Sequence, residues 1–488
     1  MRYLFDLTTT AQWRGQAVGI VRVEQELARR ARRYLGDDVA FCLYDRSRAA
    51  VLVIDDTVAD DLLAGRIRVD FAIPPPAPQG YIHKARQRLR AALLRNATAY
   101  HIFQGLRGRS FTRDQILQFQ AAARTEPLSP LSTVASRRVD GANVPLAKLP
   151  HYPARLDTNT TIISGGLDWQ YKDLRAFWAL KQTYRFSYCA IIYDLIAVRF
   201  PQFVGPAYTT LLRDYFGELL WLADRAMCIS QSTRQDWLRH ADEVGVESVP
   251  SAVFPLGCDV PSDPSQTSSK IELSPQLRGK RFALFVSTIE PRKNHRMLYQ
   301  AWDECIRAKQ IDPTRDRLVF VGRRGWAVED LLREIATNPS TRDTIVLLHE
   351  VSDQQLAMLY RSCAFALFPS MYEGFGLPLV EALGYGKLCV SSTAGALSEI
   401  GGDLVMRLDP RDTLGWTHVI GRLMSCSGEC EAWEQRIKQH YQPTTWDTAA
   451  NSFFNTIVGL ESSRTPDFSP DPEMSSLGRI GDDCLSGA

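Results

Sequence analysis

The stretch from Ser370 to Ser392, S-M-Y-E-G-F-G-L-P-L-V-E-A-L-G-Y-G-K-L-C-V-S-S, limits what this chain can fold into more than any other. The apolar run Ala364 to Phe368 before it is short and is ended by Pro369, the mark of a buried strand. Leu388 to Val390 after it reads as a second strand. Between them Leu377 to Leu383 has helix-forming composition, with Pro378 suited to the first helical position and Gly384 and Gly386 offering a stop. The segment is therefore a strand, a loop, a helix and a strand. Its loop, Glu373-Gly374-Phe375-Gly376, sets backbone N–H groups at the positive end of the helix, where glycines can aim them at an anion such as a diphosphate. Glu373 at the mouth and Glu381 in the first turns of the helix add carboxylates, which accept hydrogen bonds from sugar hydroxyls and do not bind phosphate. A ligand with a hydroxylated ring on each side of a diphosphate fits that alternation. The plainer reading is a glycine turn and a helix whose glutamate offsets the dipole.

The wider segment P-S-M-Y-E-G-F-G-L-P-L-V-E-A resembles the E-x7-E signature of the retaining glycosyltransferases of family 4. The resemblance implies an α/β protein of GT-B fold: two facing Rossmann-like domains with a C-terminal helix that crosses back to the first. It further implies that Glu373 and the amides of Gly374, Phe375, Gly376 and Leu377 hold the donor sugar and diphosphate, and that Glu381 holds the ribose.

Composition leaves this reading room and removes others. A chain of 488 residues is long enough for two or three domains, and a net charge of +2 does not by itself call for a polyanion, so no nucleic-acid partner is expected. The ten cysteines form no C-x2-C pair, and Cys426 with Cys430 has no histidine nearby to complete a zinc set. Reduced thiols and a cytoplasmic location follow as expectations. No Asp-x-Asp triplet is present, so neither a metal nor any other cofactor is expected, only a nucleotide-diphosphate sugar as co-substrate. The N-terminus reads as a strand, not a signal peptide, and no stretch reaches the roughly 20 apolar residues of a spanning helix.

The expected N-terminal, acceptor-side domain covers 1–265. Tyr3 to Leu7 is a strand, and Gly19 to Tyr34 a helix with Val23, Leu27 and Ala31 on one face. V-G-I-V-R-V-E-Q-E-L is similar to the family's first loop and helix, which makes Gly19 a donor-side candidate and Arg22 an acceptor-side one, against a plain surface cation. Four prolines between Phe71 and Gly80 mark a linker into an insertion at about 72–158, of which 120–158 carries no pattern that places it. Within it, residues 83–103 form a basic amphipathic helix without a carboxylate, fitted either to an anionic membrane surface bearing a lipid-linked acceptor or to packing on its own domain. Thr161 to Ser164 leads into a glycine turn ending in Asp168 and Trp169, a candidate acceptor-side loop. Tyr188 to Ile192 leads into Tyr193-Asp194-Leu195, which resembles the family's H-D-L with tyrosine in place of the histidine that contacts the donor sugar. Tyrosine hydrogen-bonds but does not carry a proton at neutral pH, so Tyr193 and Asp194 are assigned to the sugar neighbourhood and not as a base. Ser232 is a candidate cap for the helix that follows Ser230.

The expected nucleotide-sugar domain covers 272–444. Arg281 to Ser287 is a strand leading to P-R-K-N, and two cations at a strand's carboxyl end lie where open α/β sheets bind ligands. Arg292 and Lys293 are accordingly assigned with Glu373 as catalytic candidates. The family's loops before Trp326 and near Val351 surround the nucleobase, so Val351 is assigned to it through its backbone. Ser391 to Glu399 resembles the family's S-x-x-G-x-x-x-E, with Glu399 structural. Residues 445–460 form the return helix, and 461–488 read as a disordered tail. The chain is thus expected to be a retaining, metal-independent hexosyltransferase moving mannose or rhamnose to a saccharide or lipid-linked saccharide in surface polysaccharide or lipopolysaccharide assembly, as a cytoplasmic protein with or without peripheral membrane contact. A sugar-nucleotide epimerase of the same fold and a non-catalytic membrane-surface binding protein are the alternatives.

Overall fold

The computed structural model describes residues 2–14, 19–71, 141–259 and 273–462. Two sheets dominate it. The first is built from β1 (Tyr3–Asp6), β2 (Val39–Asp45), β3 (Ala50–Ile54), β6 (His151–Pro153), β7 (Thr161–Ser164), β8 (Ser187–Ile192), β9 (Arg225–Cys228) and β10 (Ser251–Val253), in the order β10-β9-β8-β7-β1-β2-β3-β6. Its pairings are parallel except at β3, which runs against β2 and β6. β4 (Ile67–Asp70) and β5 (Ala142–Pro145) form a separate parallel ribbon. Residues 141–158, unplaced by pattern, thus belong to the domain itself: β5 pairs with β4, and β6 closes the sheet edge beside β3. Residues 72–140, with the basic segment 83–103, lie outside the described residues, as do 463–488.

The second sheet is wholly parallel, in the order β13-β12-β11-β14-β15-β16, with β11 (Arg281–Val286), β12 (Asp316–Val321), β13 (Ile345–Leu348), β14 (Phe365–Phe368), β15 (Cys389–Ser392) and β16 (Met406–Leu408). Parallel strands covered by helices on both faces read as continuous apolar runs, and Phe365 to Phe368 and Phe282 to Phe285 are buried throughout. Each sheet winds outward from a middle strand and then returns to its other side, between β1 and β7 in the first and between β11 and β14 in the second. Such reversals leave a crevice at the carboxyl ends of the strands, where α/β proteins take ligands.

Five helices bear on those crevices: α1 (Ile20–Leu35), α2 (Gln231–Val244), α3 (Leu377–Gly384), α4 (Leu397–Gly401) and α5 (Trp446–Ser462). Val23, Leu27, Ala31 and Leu35 recur every four residues along α1 and are buried, as their spacing requires. The final helix, α5, packs on α1: Phe454 meets Phe5 of β1 and Tyr34 of α1, and Asp447 accepts from Arg30 and Arg33. The last described helix therefore completes the core of the first domain. Phe375 and Val380, from the second domain, enter that same apolar cluster.

Candidate functional site

The loop before α3 and the loop after β11 meet at the second sheet's reversal. Asn294 adopts φ 63° and its side-chain amide donates to the Pro369 and Pro410 carbonyls at 3.2 and 2.8 Å, while Met371 N–H donates to the Arg292 carbonyl at 2.8 Å. The two loops are thereby fixed to each other, which sets three charges side by side. The Lys293 ammonium lies 2.5 Å from Glu373 Oε1, and Arg292 reaches Glu373 Oε2 at 2.9 Å, the Tyr372 carbonyl at 2.7 Å and Glu290 at 2.8 Å. Burial alone would raise the Glu373 carboxyl, but Arg292 and Lys293 reverse that and hold it down at about 2. Lys293 shifts downward through burial, which Glu373 opposes and Arg292 reinforces. Arg292 works chiefly as a strut between loops, its donors taken up by one carbonyl and two carboxylates. Among the described residues the Lys293 ammonium donates to Glu373, its backbone N–H being taken by the Glu290 carbonyl at 3.1 Å, so that ammonium is the one that can exchange a carboxylate for an incoming anion.

α3 begins at Leu377 with Gly376 at φ 112°, a conformation glycine alone adopts without strain. Pro378 occupies the second helical position instead of the first. No side chain caps this helix start, but Pro378 has no N–H and the Leu379 and Val380 N–H groups donate to the Gly376 carbonyl at 2.9 and 3.3 Å, so it is the Leu377 N–H, with the amides of the loop before it, that a ligand can take. Glu381, one turn further in, is half-buried, and desolvation raises its carboxyl against the pull of Arg22 and of the Tyr360 hydroxyl. Tyr360 donates to Glu381 Oε2 at 3.2 Å, while Arg22, from α1 of the first domain, reaches Oε1 at 3.3 Å. The structure thus joins Arg22 to the candidate ribose residue across the cleft. Gly19 begins the same helix at φ 53° and is exposed, and Val351 follows β13 against the edge of the second core.

Tyr193 and Asp194 face the same loop from the first domain. A Cβ on Gly374 would come within 2.2 Å of the Tyr193 carbonyl and 2.9 Å of Asp194 Cβ, so only glycine permits this approach. The Tyr193 hydroxyl points away, donating to the Gly165 carbonyl at 2.5 Å. Asp194 is raised by burial, with Arg292 opposing, and its Oδ1 accepts from Ile196 N–H at 3.0 Å.

Of the two acceptor-side candidates on this turn, Asp168 is closed off from any ligand. Asp168 is 2% exposed and accepts from the Ser164 and Tyr188 hydroxyls and from Lys172, which also pairs with Asp6. A carboxylate so enclosed braces β1, β7 and β8 and offers nothing to a sugar. Trp169 packs edge-on against Tyr215 at 5.3 Å and directs its indole N–H towards Tyr208. The cap of α2 is Ser230, which accepts from Thr233 N–H at 3.0 Å, and Ser232 lies inside the helix. Sequence reasoning misses Tyr360 and Glu290 as partners of Glu381 and Arg292: the first contact depends on two separate helices packing together, whereas Glu290 lies two residues before Arg292 on the same loop and was open to a local reading.

Residues 269–440 match the family model described as glycosyl transferases group 1. Among curated proteins, O-antigen chain mannosyltransferase B of Escherichia coli is 37% identical over 141 residues, 28% of this chain and 35% of that protein. A serotype-specific mannosyltransferase WbdA of Escherichia coli is 30% identical over 210 residues, 40% of this chain and 24% of that protein. The matched stretch therefore spans about a third or less of those relatives. Among solved structures, Anabaena Alr3699/HepE in complex with UDP and glucose aligns over 94% of this chain and 99% of that one, at 15% identity and a TM-score of 0.56. At that identity the likeness is one of fold, and the architecture is GT-B, as the resemblance implied.

Proposed function

We propose that this GT-B chain is a retaining, metal-independent hexosyltransferase that takes mannose, or failing that rhamnose, from a nucleotide-diphosphate donor. The sugar goes to a saccharide or lipid-linked saccharide in the assembly of surface polysaccharide or lipopolysaccharide, on the cytoplasmic face of a membrane. The observation that carries this reading is the placing of Lys293, Glu373 and the uncapped first turn of α3 at one sheet reversal. Names of the matched mannosyltransferases favour mannose. Among the described residues no helix is long and apolar enough to cross a membrane.

In this reading Lys293 leaves Glu373 for the donor diphosphate, and Glu373 turns to the sugar hydroxyls. The N–H groups of residues 374–377 hold the phosphate oxygens, and Glu381 accepts from the ribose. As the bond between the anomeric carbon and the phosphate oxygen breaks, its electron pair passes to the diphosphate, where fixed donors stabilise the developing charge. The acceptor hydroxyl oxygen bonds to that carbon on the same face, and its proton passes to the departing phosphate. A panel of nucleoside diphosphates and their sugars tests the reading by thermal stability. A ligand at about 100 times its dissociation constant stabilises by roughly 2.7 kcal/mol. The expected result is a shift with one base, diminished in Glu381→Ala, followed by acceptor-dependent product from that donor without added metal. No shift with any nucleotide would discard the reading.

A further inference from the structure

The donor loop is gripped from the other domain by the first turn of α2. Ser230 Oγ donates to the Gly374 carbonyl at 2.7 Å, and the Thr233 hydroxyl lies 3.2 Å from both the Gly374 and the Tyr193 carbonyls. Tyr372 donates to Asp236, a turn further along α2, at 2.5 Å. From behind, Glu399 of α4 accepts from the N–H groups of Gln231 and Ser232 at 2.8 and 3.2 Å. Those are orphan donors at the positive end of a fourteen-residue helix, and a carboxylate suits them. α4 is itself tied to the loop, because Ala396 N–H, at its start, donates to the Glu373 carbonyl at 3.0 Å.

We infer that Ser230, Thr233 and Glu399 are positioning residues that give Glu373 and Gly374 their working geometry only when the two domains are closed. The inference rests on the glycosyl-transfer reading. Its physical content is that the loop's carbonyls at 373 and 374 are bonded on opposite sides, one to α4 and the other to α2, while α4 and α2 are joined through Glu399. Separating the domains would release the Gly374 carbonyl and two amides of α2 together, freeing the peptide between Gly374 and Phe375 while the Glu373 carbonyl stays tied to α4. Nucleotide binding to the second domain needs none of this. Catalysis by the loop does.

The test compares wild type with Thr233→Val and Glu399→Gln, which preserve volume and leave the Ser230 cap in place, and with Thr233→Ser, which restores the hydroxyl. Turnover of the nucleotide-diphosphate sugar and calorimetric affinity for the nucleoside diphosphate alone are measured on the full chain. The expected result is a kcat lowered at least tenfold in Thr233→Val and Glu399→Gln, a diphosphate Kd within twofold of wild type, and recovery in Thr233→Ser. Wild-type kcat in both variants would overturn the inference, as would a loss expressed wholly in Kd. Should wild type turn over no donor, the glycosyl-transfer reading falls, and X-ray scattering then reads the grip directly. A larger radius of gyration in the Thr233→Val/Glu399→Gln double variant than in wild type supports the grip, and equal radii refute it.

Discussion

At the carboxyl ends of β1 and β7 the first domain holds Lys172 between Asp6 and Asp168, with side chains 1%, 3% and 3% exposed. At the matching place in the second domain, Lys293, Arg292 and Glu373 remain 16%, 15% and 12% exposed, on loops instead of inside the sheet. Both clusters sit at a reversal of strand order, and both pair lysine with carboxylate. In the first, the Ser164 and Tyr188 hydroxyls and the Thr8 amide take up the remaining lone pairs, so the charge is closed on itself. In the second, an uncapped helix start stands next to the cluster and, among the described residues, the lysine ammonium makes a single hydrogen bond within it. A reversal offers a crevice, but the saturation of its polar groups decides whether the crevice braces the fold or binds.

The largest effect that would break this comparison lies on the closed side. Lys172→Met removes the cation from two buried carboxylates, and breaking a buried pair in this way costs about 3–5 kcal/mol. Chemical denaturation should register a loss of that order, with nucleoside diphosphate binding retained by the folded fraction. A stable Lys172→Met that no longer binds nucleotide would show that the first crevice is a binding site after all.

On the open side the expectation inverts. Lys293→Ala should leave the melting temperature close to that of wild type and lower kcat about 100-fold, the scale of one lost donor to a developing oxyanion. An equal loss of stability and activity would make Lys293 a brace like Lys172.

A third test uses pH. Glu24, buried on α1 beside the first crevice, accepts from the Thr10 amide and hydroxyl at 2.8 and 2.6 Å, and burial, with a smaller push from Asp6, raises its carboxyl from 4.5 to about 8. Lys172 pulls it the other way, as do the Thr10 bonds. The folded protein thus retains a proton that the unfolded chain releases above pH 4.5. Stability is therefore greatest at the acid end and falls as pH rises through that window, by at most about 1.4 kcal/mol per pH unit. Glu24→Gln, which has no proton to lose, should gain on wild type in melting temperature between pH 5 and 8. A constant gap across that range would mean that Glu24 is ionised in the fold.

How much of this could be read from sequence follows from the range of each interaction. The loop before α3 was legible because glycines, a proline and a helix start act within a few residues, and the structure places Glu373 and Glu381 on the loop and helix that spacing assigned to them. Asp168 was misjudged because its local setting, a glycine turn followed by an aromatic, is the same whether the carboxylate faces a sugar or a lysine four residues on. Residues 141–158 showed no pattern because their strands are short, of four and three residues, and β6 owes its place to pairing with β3 nearly a hundred residues away. The cap was assigned to Ser232 instead of Ser230, and Glu399 read as a structural acid; only the meeting of the two domains makes Ser230 and Glu399 partners of the loop before α3 and of the α2 amides.

The smallest effect concerns Arg22, where the two crevices touch. Glu381 is largely withdrawn from water, and such a carboxylate without a partner is costly, so Arg22 supplies charge from the first domain at 3.3 Å while a third of its own side chain stays in water. Ribose hydroxyls would compete for the same oxygen, and they can have it only if the arginine moves aside. A partly exposed pair of this kind contributes about 0.2–1 kcal/mol. Arg22→Gln should accordingly bind the nucleoside diphosphate up to about fivefold more tightly, and its affinity should depend less on salt than that of wild type. Calorimetry at two ionic strengths reads both. Weaker binding in the variant would mean that Arg22 is itself a donor to the diphosphate, and that the first domain contributes charge to the open crevice as well as closing over it.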